Sequence, residues 1–262
     1  MNIYLAVVSH NHADMIIDLD SLSKLSNKFK VILKNNASND SVKLKEYCLQ
    51  NKIYYLDESY GLGFGGNNNY IFNYCQNSLS MTNNDYFILI NPDVVISDES
   101  IEKLIILMKE YMIDLCGISL YKDEEFTLRD FSIRKYPTFI TFLRSLMDSG
   151  ASYKDIAENS KEPCIDMEWA AGSFIAFRAD VYASLKGFNE NYFMYCEDID
   201  ICFRAKKQGF NLKYIPGIKA VHKAQHNNRR LLSAHFFWHL FSALKFLYSK
   251  RFKLPMKSLL EE

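Results

Sequence analysis

Ile3-Tyr4-Leu5-Ala6-Val7-Val8-Ser9-His10-Asn11 decides the fold. Six apolar residues run without alternation into three polar ones, the pattern of a strand covered on both faces in a parallel sheet. The unit recurs along the first half of the chain. His12–Leu25 has helical spacing, and Phe29–Leu33 is a second strand that ends in the turn-and-cap cluster Asn35-Asn36-Ala37-Ser38-Asn39-Asp40. Ser41–Gln50 reads as helix, Ile53–Leu56 as a third strand before a glycine-rich loop, and Asn67–Ser78 as helix. Tyr86–Ile90 is a fourth strand ending at Asn91-Pro92-Asp93, and Ser100–Tyr111 is again helical. Strand and helix alternating four times predict an α/β fold with a Rossmann-like, mostly parallel central sheet. Ligands of such sheets bind beyond the carboxyl ends of the strands. Ser9-His10-Asn11, Asn35–Asp40, Gly61–Asn69 and Asn91–Asp93 should therefore converge on one crevice.

The second half is less regular. Glu124–Pro137 reads as strand and loop, Thr138–Ser149 as helix, and Ser152–Glu162 as a polar segment. Trp169–Arg178 is a strand interrupted by Gly172. Asp198–Gln208 is a helix stopped by Gly209, and Asn211–Ile215 and Ala220-Val221-His222 are short strands. The densest chemistry lies in Phe193-Met194-Tyr195-Cys196-Glu197-Asp198-Ile199-Asp200-Ile201-Cys202-Phe203-Arg204. Here an aromatic run meets three carboxylates within four positions. Carboxylates repel one another and are costly to desolvate, so such a cluster suits a base, a metal or a hydroxyl-rich substrate. The structural alternative is a helix N-terminus favouring acidic residues.

The 262 residues, 48% of them hydrophobic, suit one large domain or a domain with an extension. Formal net charge is zero, but 18 Lys and Arg face 29 Asp and Glu up to Phe203, against 13 and 2 from Arg204 onward. The basic end should meet something anionic. The six cysteines form no CxxC pair and read as reduced thiols of a cytoplasmic protein. The first residues read as a strand and not a signal peptide. Leu231–Leu244, 14 residues without a formal charge, is shorter than the roughly 20 a spanning helix needs.

Gly61-Leu62-Gly63-Phe64-Gly65-Gly66 satisfies the dinucleotide G-x-G-x-x-G, but it follows the third strand, and Asp85 precedes its strand instead of ending it. The other reading lets backbone approach a sugar or base, with Asn67, Asn68 and Asn69 offering amides to hydroxyls. Asn91-Pro92-Asp93 presents one carboxylate at a strand end, as in many Mg²⁺ sites, or is a plain turn. His222 alone reads as readily structural as ligating. His10 and His12 read equally as solvent-facing, and His235 and His239 as amphipathic-face residues.

These motifs in this order resemble the inverting glycosyltransferases of family 2, with the GT-A fold, over roughly residues 1–250. Within them the chain looks most like bacterial rhamnosyltransferases of O-antigen and related surface polysaccharides. That likeness rests on Asn91-Pro92-Asp93, Arg134-Lys135-Tyr136-Pro137, Tyr192–Asp200 and Ala224-Gln225-His226-Asn227-Asn228-Arg229. The resemblance implies a nucleotide site of Ser9, Asn11, Asn35, Asn36, Ser38, Asp40, Gly63, Gly66, Asn67 and Asn91. It implies Asp93 as metal carboxylate, His222 as a further metal or diphosphate ligand, and Mg²⁺ or Mn²⁺ as cofactor. Asp198 would be the general base with Glu197 beside it. Trp169, Gly172, Ser173 and Tyr195 would border the acceptor, and Arg204 would reach the diphosphate or brace the carboxylates. The family usually has Asp, in contact with the pyrimidine, where this chain has Asn35, and Asn91 replaces the first Asp of its DxD pattern. The implied partners are a dTDP-sugar donor, with rhamnose transferred, and a sugar acceptor on a polyprenyl diphosphate such as GlcNAc-diphospho-undecaprenol.

Residues 1–225 would form the transferase domain and 226–262 a basic, aromatic, amphipathic tail. Between 229 and 257, Arg229, Arg230, Lys245, Lys250, Arg251, Lys253 and Lys257 interleave with aromatics, which suits an anionic membrane surface on the cytoplasmic side. A helix packed on the domain, or a homodimer contact, is the other reading. The acidic first 203 residues argue against nucleic acid. Competing functions are transfer of another UDP- or dTDP-sugar, an inactive GT-A scaffold in a polysaccharide assembly complex, and a nicotinamide oxidoreductase.

Overall fold

In the computed structural model, which describes residues 1–138, 162–223, 234–252 and 255–261, ten strands build one sheet. Its main path runs β3 (Tyr54–Leu56), β2 (Lys30–Asn35), β1 (Ile3–Ser9), β4 (Tyr86–Ile90), β11 (Phe174–Arg178), β6 (Leu115–Tyr121), β12 (Leu212–His222) and β5 (Val94–Val95). β7 (Arg129–Asp130) joins β6, and β9 (Ile165–Asp166) joins β12. β8 (Ile133–Arg134) and β10 (Trp169–Ala170) form a separate antiparallel pair. β1 pairs in parallel with both β2 and β4, so the strand order reverses at β1 and opens the crevice where such sheets bind ligands. β11 runs antiparallel between β4 and β6, and β12 is parallel to β6.

The unalternating apolar runs of β1, β2 and β4 are buried on both faces, as the sequence pattern requires, whereas edge strand β3 leaves Tyr54 exposed. One face of the sheet is covered by α1 (Ala13–Leu19), α2 (Ser21–Leu25), α3 (Ser41–Gln50) and α5 (Asp98–Glu110), with Leu5, Val31, Leu44, Ile88 and Ile101 in the core. The other is covered by α4 (Phe64–Ser78), α6 (Ala179–Ser184), α7 (Glu197–Lys207) and α8 (Ala234–Ser249) around Phe72, Phe87, Tyr182, Phe188 and Phe246. Four aromatic contacts converge on Tyr182, with centroid separations of 4.6 to 5.9 Å.

Several sequence expectations are corrected. The first helix is two, broken at Asp20, whose φ is +43° and whose carboxylate accepts from the Tyr47 hydroxyl at 3.0 Å. β6 carries a glycine and a serine inside its apolar run, and the strand was not legible. The two short strands expected at 211–222 are one, with a register shift between Ile215 and Lys219 around Pro216-Gly217. The helix expected at 138–149, nearly all of the polar segment 152–162, and the Ala224–Arg229 motif with Arg230 lie outside the described residues. The end of the chain packs onto the domain. Phe246 and Ala243 are buried, Ser258 donates to Lys186 O at 2.6 Å, and Glu190 N donates to Lys257 O at 2.7 Å. All six cysteines are free.

Candidate active site

The carboxyl ends of β1 and β2 lie side by side, with Ser9 in register with Asn35. Most of the polar groups gathered there bind one another. Ser9 is fully buried and its Oγ accepts from His12 N at 3.3 Å. Asn11 turns the chain at φ +60°, and Ser38 is exposed. Asp40 accepts from Ala13 N at 3.0 Å and so ties the turn after β2 to the start of α1. Asn36 makes two hydrogen bonds with the Leu62 main chain, at 2.9 and 3.1 Å.

The glycine loop ends sooner than the sequence suggested, because Phe64–Gly66 form the first turn of α4. A Cβ at Gly63 would fall 2.2 Å from Phe193 O, so glycine there lets α4 dock under the loop that leads to the carboxylates. At Gly66 a Cβ would meet nothing closer than 3.6 Å. Asn67, Asn68 and Asn69 are buried and donate to main-chain carbonyls, so they brace the loop and do not offer their amides to a ligand. The Asn67 Oδ1 is buried without a partner.

Asp93 follows β4, and β5 returns against the end of β12 with Val94 opposite His222. That register sets His222 Nε2 3.3 Å from Asp93 Oδ1. On its other side, His222 Nδ1 lies 2.5 Å from Asp130 Oδ2, a residue brought in by the pairing of β7 with β6. Burial alone would lower the His222 pKa, but hydrogen bonds to Asp130 and Asp93 outweigh it and raise the imidazole to about 9. Asp93 Oδ1 is buried and its contact with His222 Nε2 is long at 3.3 Å, so a cation bound there would be a stronger partner. Among the described residues no group of three or more His, Cys, Asp and Glu gathers to hold a metal. Once a cation displaces the proton from Nε2, one carboxylate and one imidazole fit a Mg²⁺- or Mn²⁺-type ion that takes its remaining ligands from water and phosphate. Asp130 would fix the tautomer that turns Nε2 toward the ion.

The carboxylate cluster begins α7. Tyr195 and Cys196 precede it with φ of +70° and +66°, two successive left-handed residues that are not glycine, a strained entry of the kind found at functional sites. Asp198 Oδ2 accepts from Gly172 N at 3.0 Å and Oδ1 from Ile199 N at 2.8 Å. Burial raises its pKa, opposed by those two N–H groups and by the nearby Arg134. Glu197 is buried with Oε2 unpartnered, and burial followed by the Asp198 charge push its carboxyl well above the ordinary range. Asp200 is buried and paired with Arg204 Nε at 2.7 Å. Arg204 also donates to Leu185 O and Gly187 O, so it braces Asp200 and the preceding loop and does not reach a diphosphate.

Backbone ties join the two carboxylate sites. Asn91 N donates to Ser173 O at 3.0 Å, and the adjacent Gly172 N–H is the one on Asp198. A Cβ at Gly172 would sit 2.8 Å from the Phe64 ring. Trp169 is buried with its indole N–H on Lys135 O at 2.9 Å, which makes it a platform, 5.5 Å under the Arg134 guanidinium, and not an open acceptor wall. Tyr195 is half-buried and meets His239 of α8 edge-on at 5.2 Å. The sequence points to neither Asp130 nor Arg134 in its place beside Asp198, and His12, read there as solvent-facing, is half-buried in the field of Asp93.

The profile described as Glycosyl transferase family 2 matches residues 5–179. The chain belongs to that family. It is 34% identical over 252 residues to Rhamnosyltransferase WbbL of Escherichia coli (strain K12), covering 95% of this transferase and 94% of that one. A 79-residue stretch is 34% identical to the N-acetylglucosaminyl-diphospho-decaprenol L-rhamnosyltransferase of Mycobacterium tuberculosis, 30% of this chain and 26% of that protein. In fold the transferase resembles S. aureus TarS 1-349 in complex with UDP-GlcNAc, with TM-score 0.61 at 12% identity over 97% of this chain and 68% of that one. It spans 41% of the longer TarS chain, with TM-score 0.60. The protein is thus a glycosyltransferase with the GT-A fold.

Proposed function

We propose that this glycosyltransferase moves L-rhamnose from dTDP-rhamnose to a sugar on a polyprenyl diphosphate, GlcNAc-diphospho-undecaprenol being the reference acceptor, in surface-polysaccharide synthesis. The observation that carries the chemistry is Asp198. It is a carboxylate of raised pKa at the start of α7, held by the Gly172 and Ile199 N–H groups and joined through Ser173 to the Asp93 strand end. The likeness to the two rhamnosyltransferases supports the choice of sugar and acceptor.

In this reading an acceptor hydroxyl attacks the anomeric carbon while Asp198 takes its proton. Its two backbone donors fix the carboxylate's direction, and its raised pKa makes it a stronger base. Asp93 and His222 would hold a divalent cation, which supplies charge neutralisation for the departing diphosphate. Asp130 orients His222. Glu197, buried without a second partner, keeps its proton and spares Asp198 a like charge. One base on one face gives inversion.

The acceptor's lipid suggests where the protein works. Phe237, Phe241, Leu244 and Tyr248 of α8 recur at helical spacing and are exposed, while Ala243 and Phe246 on the other side are buried. Residues 234–252 contain no acid, and Lys250 and Arg251 are exposed. Trp238 meets Phe193 with the rings tilted and their centroids 5.0 Å apart, so this helix adjoins the loop before Glu197. An anionic bilayer on the cytoplasmic side fits such a face. Among the described residues no helix is long and apolar enough to cross a membrane. Because the inner face of α8 belongs to the core, the test is Phe241→Glu with Tyr248→Glu, not truncation. The double variant should lose sedimentation with anionic liposomes and keep its melting temperature. Unchanged sedimentation would rule the face out as the anchor.

Transfer from dTDP-rhamnose to a synthetic GlcNAc-diphosphate-lipid, followed by mass spectrometry, tests the whole reading. A deoxyhexose-sized gain that EDTA abolishes is expected. A gain from another UDP- or dTDP-sugar alone would favour the second reading, which Asn35 motivates.

A further inference from the structure

Beside Asn35 lies a carboxylate that the sequence motif does not announce. Asn35, at the end of β2, is fully buried and its side chain is committed. Its Oδ1 accepts from Ala37 N at 3.2 Å. Its Nδ2 donates to Ser41 Oγ at 3.2 Å, Tyr55 Oη at 3.3 Å and Asp57 Oδ1 at 3.0 Å. Asp57 follows β3, the next strand of the same parallel run, and is half-buried. Ser41 Oγ and Tyr60 Oη also donate to its Oδ1, at 2.9 and 2.8 Å. Three donors therefore fall on one oxygen of Asp57, fixing the carboxylate plane, while Oδ2 takes none of these bonds. Burial would raise this pKa, but the hydrogen bonds from Tyr60, Ser41 and Asn35 outweigh it and hold the group ionised. The neighbouring carboxylates differ. Asp40 is tied to the start of α1, and Glu58 accepts from Tyr70 at 2.5 Å.

From this geometry we infer that Asp57, oriented by Asn35, Ser41 and Tyr60, is the residue that selects a uracil- or thymine-type base by accepting its imide N3–H. The inference rests on the nucleotide-sugar reading above and names its base-specificity residue. An imide presents a donor between two carbonyls, so a fixed anionic acceptor matches it. Cytosine presents a lone pair at N3 and would face the carboxylate unpaired, which is where discrimination comes from. The charge absent at Asn35 is thus supplied from the adjacent strand, 3.0 Å away.

The test is calorimetric titration with dTDP, N3-methyl-dTDP and CDP in Mg²⁺, using wild type, Asp57→Asn, and the exchange variant Asn35→Asp/Asp57→Asn. Wild type should bind dTDP at least about tenfold tighter than either analogue, the scale of a charge-assisted hydrogen bond. Asp57→Asn should lose that preference while binding N3-methyl-dTDP as wild type does. The exchange variant should recover part of it, which a merely structural role for Asp57 would not produce. If Asp57→Asn does not fold, wild type decides, since equal affinity for dTDP and N3-methyl-dTDP overturns the inference. Undiminished dTDP-over-CDP preference in Asp57→Asn overturns it too. Wild type that transfers sugar but ignores N3 sinks this inference alone, whereas wild type that binds no nucleotide sinks the transferase reading with it.

Discussion

The two sides of the crevice treat their polar groups in opposite ways. At the ends of β1 and β2, the side chains of Ser9, Asn35, Asn36 and Asp40 are bound to the protein's own backbone. Around β5 and α7, Glu197 Oε2 is buried without a partner, Asp93 Oδ1 has only a long contact with His222, Asp198 has a raised pKa, and two successive non-glycine residues take left-handed backbone conformations. Buried polar groups are normally satisfied, so a saturated cluster is scaffolding and an unsatisfied, strained one marks where chemistry is done. The donor side is a preorganised mould, and the carboxylate side stores the reactivity.

The largest effect should come from removing the base. Asp198→Asn keeps the shape of the side chain and one of its two backbone hydrogen bonds, turns an amide N–H toward the other donor, and cannot take a proton. Its kcat should fall about 10²- to 10⁴-fold, with dTDP affinity by calorimetry unchanged. Wild-type turnover in that variant would erase the contrast between the two sides.

Next is the metal end. Asp130→Ala should weaken Mn²⁺ binding, followed by electron paramagnetic resonance, about 10- to 100-fold, the usual cost of losing the group that orients a ligating histidine. An unchanged affinity would remove Asp130 from the site.

The scaffold side should answer in stability. Gly63→Ala places a methyl 2.2 Å from Phe193 O and should cost about 1–3 kcal/mol in urea unfolding. A neutral result would mean that the loop before α7 is looser than its hydrogen bonds imply.

The smallest effect sharpens the contrast. Glu197 holds its proton in the folded state at pH values where the unfolded chain has released it, so stability falls as pH rises from the ordinary glutamate range toward the raised folded value. Glu197→Gln should abolish that slope and raise the melting temperature at pH 8, by about 2–4 °C for each kcal/mol recovered. A variant that melts at or below wild type there would show Glu197 to be paired and charged.

The same contrast explains what the sequence made legible. β1, β2 and β4 announce themselves because strands inside the sheet must be largely apolar, β3 reads as a short apolar run at the sheet edge, and the polar clusters at their ends mark the crevice. Asp198 and Glu197 stand out because three carboxylates within four residues need a reason. Asp130 was hidden because β7 is two residues long and reaches His222 only through β6. Asp57 was hidden because it sits in a polar loop where nothing local shows that Asn35, 22 positions earlier, is its neighbour. Arg204 and Asn67 misled for the opposite reason. Residue type suggested a ligand, but hydrogen bonds formed only on folding had already claimed them.

The anomeric configuration of the transferred sugar tests the central claim most directly. A single displacement with Asp198 as sole base predicts a product, read by NMR of the isolated glycan, whose linkage is inverted relative to the nucleotide sugar. Retention would contradict it, since a single displacement inverts the attacked carbon.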